Sequence, residues 1–356
     1  MSRSNRLKMR QPFWYLGFVI LLSLLLVAMA ACGDDETTEE VAAEPTATEA
    51  IEEFAPERVF QVQISDDHTV DSVAYHPDGD MVAAGAFLEA HLMNPEDGET
   101  LDVIDFDHSI DDLEFSPDGS LIAAGQGVYG VQINNVDDGS VFNDLHGGYD
   151  NRLAFAPDGE TIATANRNGV LWIWDVETGD ELHEFVPPIE EFALSIAYSP
   201  DGELVALGNW DGDVFLFNAE DGELIRTFEN PEDFGYAHDL AFSPDGEHLA
   251  IAGTRADRDD VLRVWVVDSG DEHGVVTLES DTRAVAYAAD GEQIAVGDRD
   301  GVTIVDADDL TVIFAIELDA PPDVSAWVTD IDYSPDGRFL LFSRWDGYVE
   351  LWQIKE

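Results

Sequence analysis

The sequence predicts an all-β chain: a seven-bladed β-propeller of four-stranded antiparallel blades, closed by an N-terminal strand pairing in the last blade. Three observations predict it. The first is a turn that returns seven times: His76-Pro77-Asp78-Gly79, Ser116 to Gly119, Ala156 to Gly159, Ser199 to Gly202, Ser243 to Gly246, Ala288 to Gly291 and Ser334 to Gly337. The steps between copies are 40, 40, 43, 44, 45 and 46 residues, the period of a repeat architecture. The second is what lies between the turns, short runs of branched and aromatic residues broken by Asp-Gly and Asn-Gly. The third is the pair of ends. Each is incomplete, and together they make one blade.

The elements follow in order. Arg3, Arg6, Lys8 and Arg10 form a basic start, and Phe13 to Ala31 is almost continuously apolar. Small residues then precede Cys32, the only cysteine. Basic, greasy, small is the order of a secretory signal, so residues 1–31 are expected to be removed. A retained membrane helix is the alternative. Met29-Ala30-Ala31-Cys32 resembles a bacterial lipobox, with methionine where leucine is usual. The resemblance implies lipidation of Cys32 and a membrane-anchored lipoprotein on the extracytoplasmic side, at the cell surface or facing the periplasm. Residues 32–57 are rich in Asp, Glu, Thr, Ala and Pro. They have little to bury and repel one another, which predicts an extended tether.

The propeller spans 58–356. One repeat reads clearly: Leu153 to Phe155, then Thr161 to Thr164, Val170 to Trp174 and Glu181 to Phe185, with a turn between each strand and the next. The last repeat stops after Val349-Glu350-Leu351-Trp352, one strand short. Arg58 to Ile64 is a spare strand ahead of the first repeat. Pairing the two closes the ring and removes an open junction.

Leu171-Trp172-Ile173-Trp174-Asp175-Val176-Glu177-Thr178-Gly179 is similar to the strand-c signature of the WD40 family, and Val264-Trp265-Val266-Val267-Asp268 and Val349 to Trp352 are partial copies. The resemblance covers about residues 58–356. It implies structural networks drawn from blade-opening histidines (His68, His108, His238), turn aspartates (Asp211, Asp346) and strand-c tryptophans (Trp174, Trp265, Trp352). Repeats one, two and six lack that tryptophan.

The charge is extreme: 76 acidic residues against 16 basic, net −60. Four of the bases lie in the leader, which leaves 12 in the mature chain, only one of them lysine. Such a surface repels a phosphate backbone, so no nucleic acid is expected as partner. Self-repulsion also makes salt stabilising. The composition fits a saline habitat as well as a lineage of acidic exported proteins.

No catalytic constellation stands out. The cysteine belongs to the lipobox, and the nine histidines show no metal spacing. Asp111-Asp112, Asp259-Asp260 and Asp308-Asp309 are expected to be solvated pairs, because acids fill so many positions. No cofactor is expected, although abundant hard oxygens leave calcium open.

The basic residues are less evenly spread. Arg167, Arg255, Arg258, Arg299 and Arg344 fall in b–c turns, and Arg152 and Arg283 fall where inner strands begin. In a blade these positions share one rim. Trp210 and Trp345 join them. Arginine and tryptophan dominate recognition hot spots. The rim is therefore the candidate binding face, with ion pairing between blades as its alternative. The reading is a monomeric ring, a noncatalytic interaction module for an exported or envelope protein or an anionic glycan. The competing reading is an exported hydrolase or lactonase with a metal-assisted carboxylate site in the channel.

Overall fold

The computed structural model describes residues 55–355, apart from 147–149, 189–191, 230–233, 256–259, 279 and 320–325. The leader, Cys32 and nearly all of the tether lie outside the described residues, as does Arg258.

Seven four-stranded antiparallel sheets make the ring. The inner strands are Ser72–Tyr75, Asp112–Phe115, Asp150–Phe155, Ala193–Tyr198, Phe234–Phe242, Ala284–Tyr287 and Val328–Tyr333. Each packs beside the next, and the last packs on the first. The seventh blade is composite. Glu57–Gln63 is its outer strand, paired with Tyr348–Gln353 from Glu57↔Gln353 to Gln63↔Tyr348. That is the closure the chain ends imply, beginning one residue earlier than expected. Phe60 is buried at this seam with Val73, Leu341, Val349 and Leu351.

The recurring turn works by local chemistry. In Ser116-Pro117-Asp118-Gly119, proline presets the first central residue and the Gly119 N–H donates to the Ser116 carbonyl at 2.8 Å. Ser116 Oγ donates to Asp118 Oδ1 at 2.7 Å, and the Ser120 N–H donates to the same oxygen at 3.0 Å. The fourth position needs a positive φ, and all seven glycines there lie between 69° and 76°. A Cβ on Gly119 would also sit 2.1 Å from the His76 ring of the preceding blade. So the turn holds its own hairpin and spaces the neighbouring blade.

Apolar residues fill the gaps between blades, as in the cluster of Leu153, Phe155, Ile162, Trp172 and Trp174 with Leu121 and Ile133 of the preceding blade. Trp174 Nε1 donates to Thr164 Oγ1 at 2.9 Å within that cluster. The second blade departs from this plan. Gln132 and Asn134 stand where the third blade has Trp172 and Trp174, and its b–c connection is a 3-10 turn, Gly127–Tyr129.

Candidate functional site

The inner strands have one free edge, facing the axis. In four blades N–H groups of that edge are met by side chains of the preceding blade. Asp330 Oδ2 accepts from Ser72 Oγ at 2.6 Å and from the Val73 N–H at 2.9 Å, and Asp332 Oδ2 accepts from the Tyr75 N–H at 2.7 Å. Ser72 Oγ accepts from the Leu113 N–H. Asp112 and Glu114 accept from the Leu153 and Phe155 N–H groups, each at 2.9 Å, and Asp239 accepts from the Val285 N–H at 2.8 Å. This corrects the expectation for Asp112, which is no solvated carboxylate. The Asp308-Asp309 pair is exposed and supports its own turn. Asp259 lies outside the described residues.

Burial and mutual repulsion raise these axial acids. Burial pushes Asp112 to about 6, against the pull of Arg152, and Asp332 to about 7. Glu114 and Asp239 rise to about 8, and Asp330 rises as well. Unfolded, the same carboxyls titrate near their ordinary 3.8 and 4.5. The folded form therefore holds more protons between about pH 4 and 8, so this contribution to stability is complete below the unfolded pKa values and is lost as pH rises through the folded ones. The expected result is a melting temperature that falls between pH 5 and 8. Glu114→Gln with Asp239→Asn should flatten the slope. A curve that is flat or rising in the wild type would contradict this.

The rim at the b–c turns carries the candidate site. A cavity of about 280 Å³ at the axis is lined by Asp71, Asp111, Arg152, Arg167, His238, Arg283, Thr329 and Trp345. A second, of about 440 Å³, is lined by Arg152, Arg167, Phe192, Ala193, Leu194 and Trp210. Arg152 and Arg167 line both, so Trp210 and Trp345, three blades apart in count, border one continuous basic and aromatic surface. Arg152 is fixed by backbone carbonyls, through Nε to Leu194 at 2.6 Å and through Nη1 to Asp111 at 3.0 Å. Arg283 lies 4.0 Å over the Trp327 ring, whose centroid is 6.1 Å from that of Trp345. Burial lowers Arg283, against the pull of Asp281. His238, at the same mouth, is pushed down to about 4 by burial, with Arg283 and Arg152 adding to the effect. It is therefore neutral at pH 7.

Aligning the b–c turns shows two slots. The first is buried and caps the turn: Asn166 and Asn209 accept from two N–H groups each, and Asp298 does the same. The second is the apex: Arg167, Trp210, Arg299 and Trp345. All four apex residues are exposed, Trp210 by 47% and Trp345 by 45%. Blade one places Phe87 at its turn, 47% exposed and held at φ 56°, a strained conformation for a bulky residue. Blade two places Tyr129, and Phe192 stands beside Trp210 at 5.8 Å between ring centroids. The sequence reading missed Phe87, Tyr129 and Phe192. Their place at turn apices was the available signal.

Arg344 requires correction. It occupies the first slot, is 1% exposed, and pairs with Asp346 at 2.6 Å and Glu350 at 2.5 Å. It holds the blade together and is not a contact residue. Arg255 ends its strand, and its side chain lies outside the described residues.

The residues assigned to structural networks divide. Trp174 bonds to Thr164 as above, and Trp352 donates to Glu350 at 2.9 Å. Trp265 packs on Phe228, with ring centroids 5.4 Å apart. Asp346 pairs with Arg344, while Asp211 is exposed and its N–H donates to Asn209. His68 stacks on Phe87 and His108 on Tyr129, both on the rim, and His238 lies at the channel mouth.

Among the described residues no group of three or more His, Cys, Asp or Glu is arranged to hold a metal. The axial carboxylates spend their oxygens on backbone N–H groups. What the rim cavities offer is guanidinium groups, two carboxylates and flat aromatic rings. No curated protein matches the chain. Its likeness is to the WD domain, G-beta repeat family, whose model matches residues 148–175, 185–218, 222–266 and 319–353.

Proposed function

We propose that the protein is a noncatalytic interaction module, held outside the cytoplasmic membrane by lipid on Cys32, which binds its partner on the arginine and aromatic rim. WD40-type propellers commonly serve as protein-interaction scaffolds. One observation carries the choice of face: exposed arginine and tryptophan side chains gather at the turn apices, Arg167, Trp210, Arg299 and Trp345, with Trp210 47% and Trp345 45% exposed. A partner presenting carboxylate or carbonyl oxygens meets the guanidinium groups, and its apolar groups meet the rings. The surrounding acids reject poorly matched surfaces, so charge supplies specificity more than affinity.

The experiment is capture of envelope components at native salt by the full-length protein, together with mass analysis of its mature N-terminus. Arg167→Ala, Trp210→Ala and Trp345→Ala combined should weaken capture by at least about 30-fold, the scale of one lost hot spot, while leaving melting unchanged. Undiminished capture would refute the rim. An unmodified Cys32 or an intact Met1 would refute the anchor.

A further inference from the structure

The second blade carries Gln132 and Asn134 at the register positions where the third carries Trp172 and Trp174. Gln132 lines the space beside them. That space is a cavity of about 390 Å³, lined chiefly by Asp107, His108, Gln126, Tyr129, Asp144 and His146. Its floor is a chain of amides. Gln126 Nε2 donates to Gln132 Oε1 at 3.2 Å, Gln132 Nε2 donates to Asn134 Oδ1 at 2.9 Å, and Asn134 Nδ2 donates to the Gly139 carbonyl at 3.0 Å. The Asp107 N–H fixes Gln132 Oε1 from the side, also at 3.2 Å. One N–H of each amide is committed along this chain. Gln126 is 4% exposed, and its Oε1 makes no hydrogen bond within the described residues.

The walls are acceptors too. Asp144 pairs across the strands with Gln132, which puts its carboxylate over the amide floor, and Asp107 stands on the opposite connection. Tyr129 supplies a flat face. It is stacked on His108, with the rings 8° from parallel, and is 53% exposed. Two carboxylates, one unused amide oxygen and an aromatic face form a set that asks for a planar cation with several donors. A guanidinium meets all of them: it stacks on the ring and divides its N–H groups between carboxylate and amide. An ammonium has no plane to stack, and a neutral sugar leaves the charges unanswered.

We infer that this pocket in blade two, closed by the connection from blade one, takes an arginine side chain of the partner. The inference rests on the rim being the binding face and narrows the partner's class. A surface that offers arginines at the channel and an arginine socket beside it suits a protein with charges of both signs. It does not suit an anionic glycan, which has no cation to place.

The test uses the full-length protein and a small probe, N-acetyl-arginine amide, followed by NMR shifts of the Tyr129 and His108 rings. The citrulline and lysine analogues and a panel of neutral monosaccharides serve as comparisons. Saturable binding by the arginine probe is expected, at least about tenfold tighter than citrulline or lysine. Asp144→Asn and Tyr129→Ala should each weaken it at least about fivefold. Both sites are exposed, so folding should survive, and an unchanged melting temperature verifies that. Equal binding of citrulline, stronger binding of a sugar, or indifference to both substitutions would overturn the inference. The Arg167, Trp210 and Trp345 substitutions should leave probe binding untouched, so failure of the rim and failure of the socket give different results.

Discussion

Removing residues 57–63 should cost the ring at least about 5 kcal/mol and lower its melting temperature by roughly 10 °C or more. The strand supplies the whole outer ladder of the seventh blade, from Glu57↔Gln353 to Gln63↔Tyr348. It buries Phe60 at the seam between the last blade and the first, and burying one such side chain contributes about 1.5–3 kcal/mol. Its removal also exposes the Tyr348–Gln353 edge to pairing with another chain. It takes away two partners of the buried Glu350, namely Gln61 Nε2 at 3.1 Å and Arg58 at 3.6 Å. Thermal melts of the truncated chain decide the matter. A shift within two degrees or so of the intact ring would mean that the blade closes without its outer strand.

Arg344→Ala should cost about 3–5 kcal/mol, the scale for breaking one side of a buried ion pair. Arg344 reaches Glu350 through Nη1 and grips Asp346 through Nε and Nη2. Glu350 is itself 1% exposed. Without the guanidinium it keeps only the Trp352 N–H, Gln61 and the more distant Arg58. A denaturant titration measures the loss. Adding Glu350→Gln to the single variant should recover part of it, because the stranded charge goes. If the double variant is no better than the single, the cost came from lost packing.

Much of the fold was legible because the turn is local. Ser-Pro-Asp-Gly closes its hairpin with its own hydroxyl, carboxylate and glycine, so the sequence carries the whole cause. The closing strand was legible by arithmetic on the ends. The axial carboxylates were not. Asp112 looks like any other acid in a chain this acidic, and only the ring brings it to the Leu153 N–H of the next blade. Arg344 was misread for a different reason. It was grouped with the turn arginines by type, while its register puts it with Asn166, Asn209 and Asp298 in the buried slot. The pocket in blade two was half visible. The absence of tryptophan could be read, but not the space that Gln132 lines.

The central claim is that the apex residues of the b–c turns bind, while the residues one position earlier hold the blades. The most direct measurement sets two variants side by side, each assayed for partner capture and for melting temperature. The combined Arg167→Ala, Trp210→Ala and Trp345→Ala variant should lose capture and keep its melting temperature, and Arg344→Ala should lower the melting temperature. If the apex variant melts early instead, those side chains were holding the ring together and the binding face lies elsewhere.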